Sequence, residues 1–244
     1  MVGIGFCGAS FTEGIPYIEN SECYATLVSD HFKPSLFLNY AEGGAGNRHI
    51  FIQAMKMILT DVDHIFVQWS FPGRQKWYSG FDKQVTTTTR CNNAFADILS
   101  DSRYKTFIDV FKIVDSSYNQ YFELNDQITI LNTICKKLNK SVYYINGGMH
   151  IDPVFVNETE IYDAYSQLLP ESRDILDLDN LPDSDIEQSI KELQNKLSVI
   201  NVEQWVSLEK MQLLDHASDG EHPGPQSHRA FAMNVIKFLE DKIQ

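Results

Sequence analysis

Apolar runs of strand length alternate with longer amphipathic stretches along this chain, and that alternation constrains its fold more than any other feature. "VGIGFC" (2–7), "SLFLNY" (35–40), "HIFVQWS" (64–70) and "SVYYING" (141–147) read as buried strands. Between them lie stretches with helical spacing. Residues 17–32 carry Tyr24, Leu27, Val28 and Phe32, and 47–60 carry Ile50, Ala54, Met57 and Ile58. Residues 128–139 form a third such stretch. A last helix follows "HPGP" and runs from about Ser227 to Ile243, with Phe231, Val235, Phe238 and Leu239 apolar. The pattern predicts an α/β fold: a mainly parallel sheet covered by helices on both faces. With 244 residues, 43% of them hydrophobic, one domain spanning 1–244 is expected. Two regions break the alternation. Residues 71–105 are polar and turn-rich, and 152–205 are acid-rich with Pro170 and Pro182. Both read as insertions that either wall a site or decorate the surface, and 184–198 reads as an exposed amphipathic helix.

The net charge of −13 argues against nucleic acid or an anionic membrane as partner. Cys7, Cys23, Cys91 and Cys135 form no CxxC pair, so they read as reduced and mostly buried. No basic leader precedes the first apolar run, and no run approaches the roughly 18 residues of a membrane helix. A cytoplasmic protein with no membrane partner is the expectation.

In parallel sheets, reactive groups gather at the carboxyl ends of the strands. Ser10 follows the first strand in "GFCGASFTEG", Gly44 follows the second in "EGGAG", and Ser70 ends the third. The last loop, "SDGEHPGP", brings Asp219 and His222. A serine hydroxyl needs a base within hydrogen-bond reach, and the base needs an orienting partner. His222 is the candidate base, with His216 and His228 as rivals. Asp219, three residues earlier, can reach one imidazole nitrogen while the other faces the serine. The backbone N–H groups of Gly44 and Ser10 are candidate donors to a developing oxyanion. Each piece has a plain structural reading too: Ser10 as a helix cap, the glycines as a tight turn, and "DGEHPG" as a loop before a helix. Their joint order along the chain favours the chemical one.

In that order the blocks resemble the SGNH (GDSL-type) hydrolase family. Gly8-Ala9-Ser10 stands for the first block, Asn39 and Gly44 for the second, and Asp219-Gly220-Glu221-His222-Pro223 for the last. The resemblance implies a three-layer α/β/α sandwich with a flavodoxin-like sheet, and hydrolysis of esters, thioesters or O-acetyl groups on carbohydrates. It implies Ser10 as nucleophile, His222 as base and Asp219 as its orienting acid, with a small-molecule or carbohydrate ester as partner. No cofactor is implied, and no HExxH or dense Asp/His cluster suggests a metal. Two departures stand out. The family's third block supplies an Asn to the oxyanion, whereas this strand ends "VQWSFPGR". Ser70 holds the Asn position and Gln68 the glycine position, and either can donate. Ala9 replaces the Asp beside the nucleophile. Trp69, Arg74 and Asn47 are candidate substrate contacts: Arg74 for an anionic group, and Trp69 with Trp77 for stacking on a sugar. Core tryptophans and a structural arginine are the alternative.

Competing readings fit less well. "GIGFCG" (3–8) matches Gly-x-Gly-x-x-Gly, but only two residues precede it, too few for the strand that a dinucleotide site requires. The elbow of the α/β-hydrolases is contradicted by Thr12 at its second glycine position. A non-catalytic binding or structural protein, with a decayed site on the same fold, remains as the second reading.

Overall fold

A computed structural model describes residues 2–14, 17–70, 75–78, 85–88, 117–147, 202–207 and 211–243. Five strands form one sheet: β1 (Gly3–Cys7), β2 (Leu36–Asn39), β3 (His64–Trp69), β6 (Ser141–Asn146) and β7 (Trp205–Ser207). Their order is β2-β1-β3-β6-β7, and every neighbouring pair is parallel. Two further strands, β4 (Gln75–Tyr78) and β5 (Val85–Thr88), pair antiparallel in a separate ribbon. The helices are α1 (Ser10–Glu13), α2 (Tyr24–Phe32), α3 (Asn47–Ile58), α4 (Ser117–Lys137) and α5 (Pro225–Ile243).

The two faces of the sheet have separate cores, which makes the structure three layers. Side chains alternate along a strand, so Ile65, Val67 and Trp69 of β3 point one way and Phe66 the other. The first set packs with Val142 and Tyr144 under α3 and α4, against Ile50, Ala54, Met57, Leu124, Ile128 and Leu131. On the opposite face Ile4, Phe6, Phe66, Tyr143 and Ile145 meet Tyr24 and Val28 of α2 and Phe231, Val235 and Leu239 of α5. Strands covered on both faces read as continuous apolar runs, and this is why β1, β3 and β6 stand out in the sequence.

Four of the five parallel strands lie where the apolar runs place them. The fifth, Trp205–Ser207, begins at the last residue of the expected 152–205 insertion. It has three residues and a register irregularity against β6, and so carries no periodic signal. The expected helix over 17–32 is shorter. Cys23 takes an extended backbone conformation and α2 starts only at Tyr24, preceded by a 3-10 turn at Asn20–Glu22. Helix α4 begins eleven positions before the expected Ile128, and Leu124 extends the buried row of Ile128, Leu131 and Cys135 one turn further back. The 184–198 helix and most of both expected insertions lie outside the described residues. No helix among the described residues is long and apolar enough to cross a membrane.

In the sheet order the chain leaves β1 towards β2 on one side and returns to β3 on the other. This topological switch opens a crevice at the carboxyl ends of β1 and β3.

Candidate active site

Ser10 stands in that crevice. Strand β1 ends at Cys7, and Ala9, extended at φ −105° and ψ −155°, turns the chain into α1 with Ser10 as its first residue. Ser10 is therefore not the helix cap; its side chain is free for another task. The turn is tight: a Cβ on Gly8 would lie 2.3 Å from Thr12 Oγ1 and 3.1 Å from Gln68 Cβ. Polar side chains pin it from below. Gly8 N–H donates to Gln53 Oε1 at 2.9 Å, and Asn39 Nδ2 donates to the Thr12 carbonyl at 2.9 Å. Glu13 Oε2 accepts from Gly43 N–H at 2.7 Å, tying the loop after β2 to α1.

The loop before α5 brings His222 to Ser10 across 212 positions of sequence, with Nε2 3.0 Å from Ser10 Oγ. Its Nδ1 lies 2.5 Å from Asp219 Oδ2. An ionised carboxylate only accepts, so Nδ1 carries the ring proton and Nε2 is left to accept from the serine hydroxyl. Asp219 Oδ1 accepts the backbone N–H groups of Glu221 and His222, each at 3.0 Å. The His222 backbone N–H, with the Glu221 N–H and the His222 ring, outweighs desolvation and holds the Asp219 carboxyl at about 2. The stabilisation this confers on the loop is complete above the ordinary value of 3.8 and is lost as pH falls through about 2.

Helix α5 anchors this loop. Asp215 accepts Gln226 N–H and Ser227 N–H at 2.9 and 2.8 Å, and the Ser227 hydroxyl at 2.8 Å. Desolvation opposes ionisation there, but these three donors keep the carboxyl below its usual range. Asp215 thus serves the helix start rather than a histidine ring, and Pro225 opens the helix at a position where no N–H is needed.

A pocket of about 60 Å³ lies beside Ser10, lined by Ala9, Ser10, Phe11, Gln68, Trp69, Ser70, Gly147 and His222. Gln68 is 2% exposed. Its Oε1 accepts the Thr12 hydroxyl at 2.6 Å, and Thr12 Oγ1 lies 2.9 Å from the Tyr24 hydroxyl. Its Nε2 is buried with no partner among the described residues. A buried amide donor left unpaired at the edge of a pocket is costly unless something in the pocket accepts from it.

No family model matches the chain, and no curated protein matches it. Solved structures similar over nearly its full length include TesA, at 9% identity over 98% of each chain with a TM-score of 0.47. A lipolytic protein of the G-D-S-L family from Veillonella parvula DSM 2008 shares 12% identity over 97% of each chain, with a TM-score of 0.42. Phospholipase A1 from Streptomyces albidoflavus NA297 shares 11% over 99% of each chain, with a TM-score of 0.44. What this chain does is read from its own residues.

The remaining candidates divide. Ser70 lines the pocket, and its N–H donates to Asn47 Oδ1 at 2.8 Å. Asn47 therefore ties the start of α3 to the end of β3, a structural task. Gly44, at φ 74°, is not among the residues that line the pocket; its loop is held to the end of β1 through Glu42 N–H and the Gly8 carbonyl at 3.1 Å. Trp69 needs correction as a sugar platform. It borders the pocket, but it is fully buried in the core beneath α3 and α4 with its ring 6.1 Å from that of Tyr144, which argues against an open stacking face for a sugar. In a sheet covered on both faces, an aromatic residue at a strand end is still core. Arg74 lies outside the described residues. Of the rival bases, His216 is exposed and bridges to Pro223 through its backbone. His228 is 2% exposed, and its Nδ1 accepts the Tyr24 N–H at 3.2 Å.

Burial lowers the His228 pKa to about 4. The unfolded chain therefore takes up this proton first on acidification. The stability that neutral His228 contributes is complete above about pH 6.5 and falls as pH drops towards 4. The expected loss is at most about 3 kcal/mol. Melting temperature measured between pH 7 and 4 should show this slope, and His228→Gln, which cannot charge, should flatten it.

Sequence reasoning missed Gln53, Thr12, Tyr17 and Tyr24. Gln53 alone left a signal: a polar residue on the buried face of α3, between Ile50 and Ala54, calls for a partner.

Proposed function

We propose that the protein is a serine hydrolase that cleaves an ester through an acyl-enzyme. One observation carries this reading: the continuous line from Ser10 Oγ through the His222 ring to Asp219, with contacts of 3.0 and 2.5 Å. His222 Nε2 takes the proton as Ser10 Oγ attacks the carbonyl carbon, and Asp219 stabilises the imidazolium. The same proton then passes to the leaving alcohol. Water, activated in turn by His222, releases the acid.

The developing oxyanion needs donors in place. As the first residue of α1, Ser10 has an N–H that no intrahelical bond uses. Gln68 Nε2 supplies the donor that the family's Asn would give, and Thr12 sets its direction by occupying Oε1. Gly44 is a further candidate on the adjacent loop. Removal of one such donor is expected to lower kcat about 10²–10³-fold. Gln68→Leu should show that loss with little change in KM, whereas Ser70→Ala should not. Steady-state kinetics on a short-chain ester checks both.

The pocket has room for only a few water-sized groups, which favours a short acyl chain such as acetyl. p-Nitrophenyl acetate is therefore the first substrate to try. Rapid mixing should give a burst of nitrophenolate close to one equivalent per Ser10 if deacylation is the slower step. Absence of any turnover of short-chain esters would instead favour a binding protein on this fold.

A further inference from the structure

We propose that Tyr17 is a positioning residue for His222, holding the imidazole between Ser10 and Asp219. This rests on the esterase reading and extends it to a residue outside the proton relay.

The Tyr17 ring lies face to face with the His222 ring, with centroids 3.6 Å apart and planes 12° from parallel. Phe11 meets the same imidazole edge-on at 5.8 Å and 85°. The two nitrogens of His222 fix its in-plane position, but they do not stop it from rotating about the line between them. Tyr17 blocks that rotation on one face. It also covers one face of a relay whose His222 and Asp219 side chains remain 21% and 29% exposed. When the ring becomes imidazolium, a stacked aromatic face stabilises the cation.

The backbone is built to present this ring. Gly14 ends α1 at φ 76°, where a Cβ would lie 2.9 Å from Cys23 Cβ. Its carbonyl accepts the N–H groups of Tyr17 and Ile18, both at 3.0 Å, and turns the chain back over the crevice. The Ser218 hydroxyl donates to the Tyr17 carbonyl at 3.3 Å. Tyr17 thus contacts the histidine loop twice, through its ring and through its carbonyl.

Two variants separate stacking from the phenolic hydroxyl. Tyr17→Phe keeps the aromatic face and should retain wild-type kcat and KM within about 2-fold. Tyr17→Leu keeps bulk without the face and should lower kcat about 3- to 30-fold at unchanged KM. A second readout needs no activity. The proton on His222 Nδ1, held against Asp219, should give a low-field proton resonance. It should persist in wild type and Tyr17→Phe, and broaden or vanish in Tyr17→Leu as the ring loosens and exchanges with water. Wild-type kcat and an intact resonance in a folded Tyr17→Leu protein would overturn the proposal. So would an equal loss in Tyr17→Phe. Failure of the esterase reading shows separately, as equal rates in Ser10→Ala and wild type.

Discussion

Replacement of Ser10 by Ala is expected to lower ester turnover on the order of 10⁴–10⁶-fold. The serine supplies the atom that forms the acyl bond, and no neighbouring side chain on this turn can replace it: Ala9 and Phe11 flank it, and Thr12 Oγ1 is engaged with Gln68 and Tyr24. The fold should survive. The Ser10 hydroxyl bonds only to His222 among the contacts described, and one such bond contributes about 0.5–1.5 kcal/mol. Melting temperature should move by no more than a few degrees, so a lost rate in a folded protein reads as lost chemistry.

The second large effect belongs to Asp219→Asn. An amide can still accept the Glu221 and His222 N–H groups through its oxygen, so the loop keeps its shape. Its nitrogen then faces His222 Nδ1 as a donor, which moves the ring proton to Nε2. In that tautomer Nε2 cannot accept from Ser10. A loss on the order of 10⁴-fold in kcat is expected, with KM little changed. Asp219→Ala would mix this effect with release of the loop, and for that reason the Asn variant is the informative one. Because the Asp219 carboxyl sits at about 2, any fall in activity on acidification above pH 4 comes from a group other than Asp219.

Much of this was readable before folding, for identifiable reasons. Strands β1, β3 and β6 are covered on both faces and announce themselves as apolar runs, whereas β7 has three residues at the sheet edge and announces nothing. That Ser10, Asp219 and His222 meet was legible because the blocks that hold them, after the first strand and in the last loop, resemble the SGNH pattern. Contacts that depend on three-dimensional packing were not. Nothing about Tyr17 in "EGIPYI" indicates that it will stack on a ring 205 positions away. The error over Trp69 came from reading position without direction. It shares a face with Ile65 and Val67, whereas Gln68, one residue earlier, turns to Thr12 and the pocket. Alternation does not separate Gln68 from Ser70, two positions on; Gln68 is the favoured oxyanion donor of the two because its Nε2 is buried with no partner among the described residues.

Covalent labelling with a fluorophosphonate, followed by peptide mapping, tests the central claim most directly. The account predicts one adduct per chain, on Ser10, abolished in Ser10→Ala and strongly slowed in His222→Ala. Adduct formation at a different residue, or none on the folded wild-type protein, would contradict it.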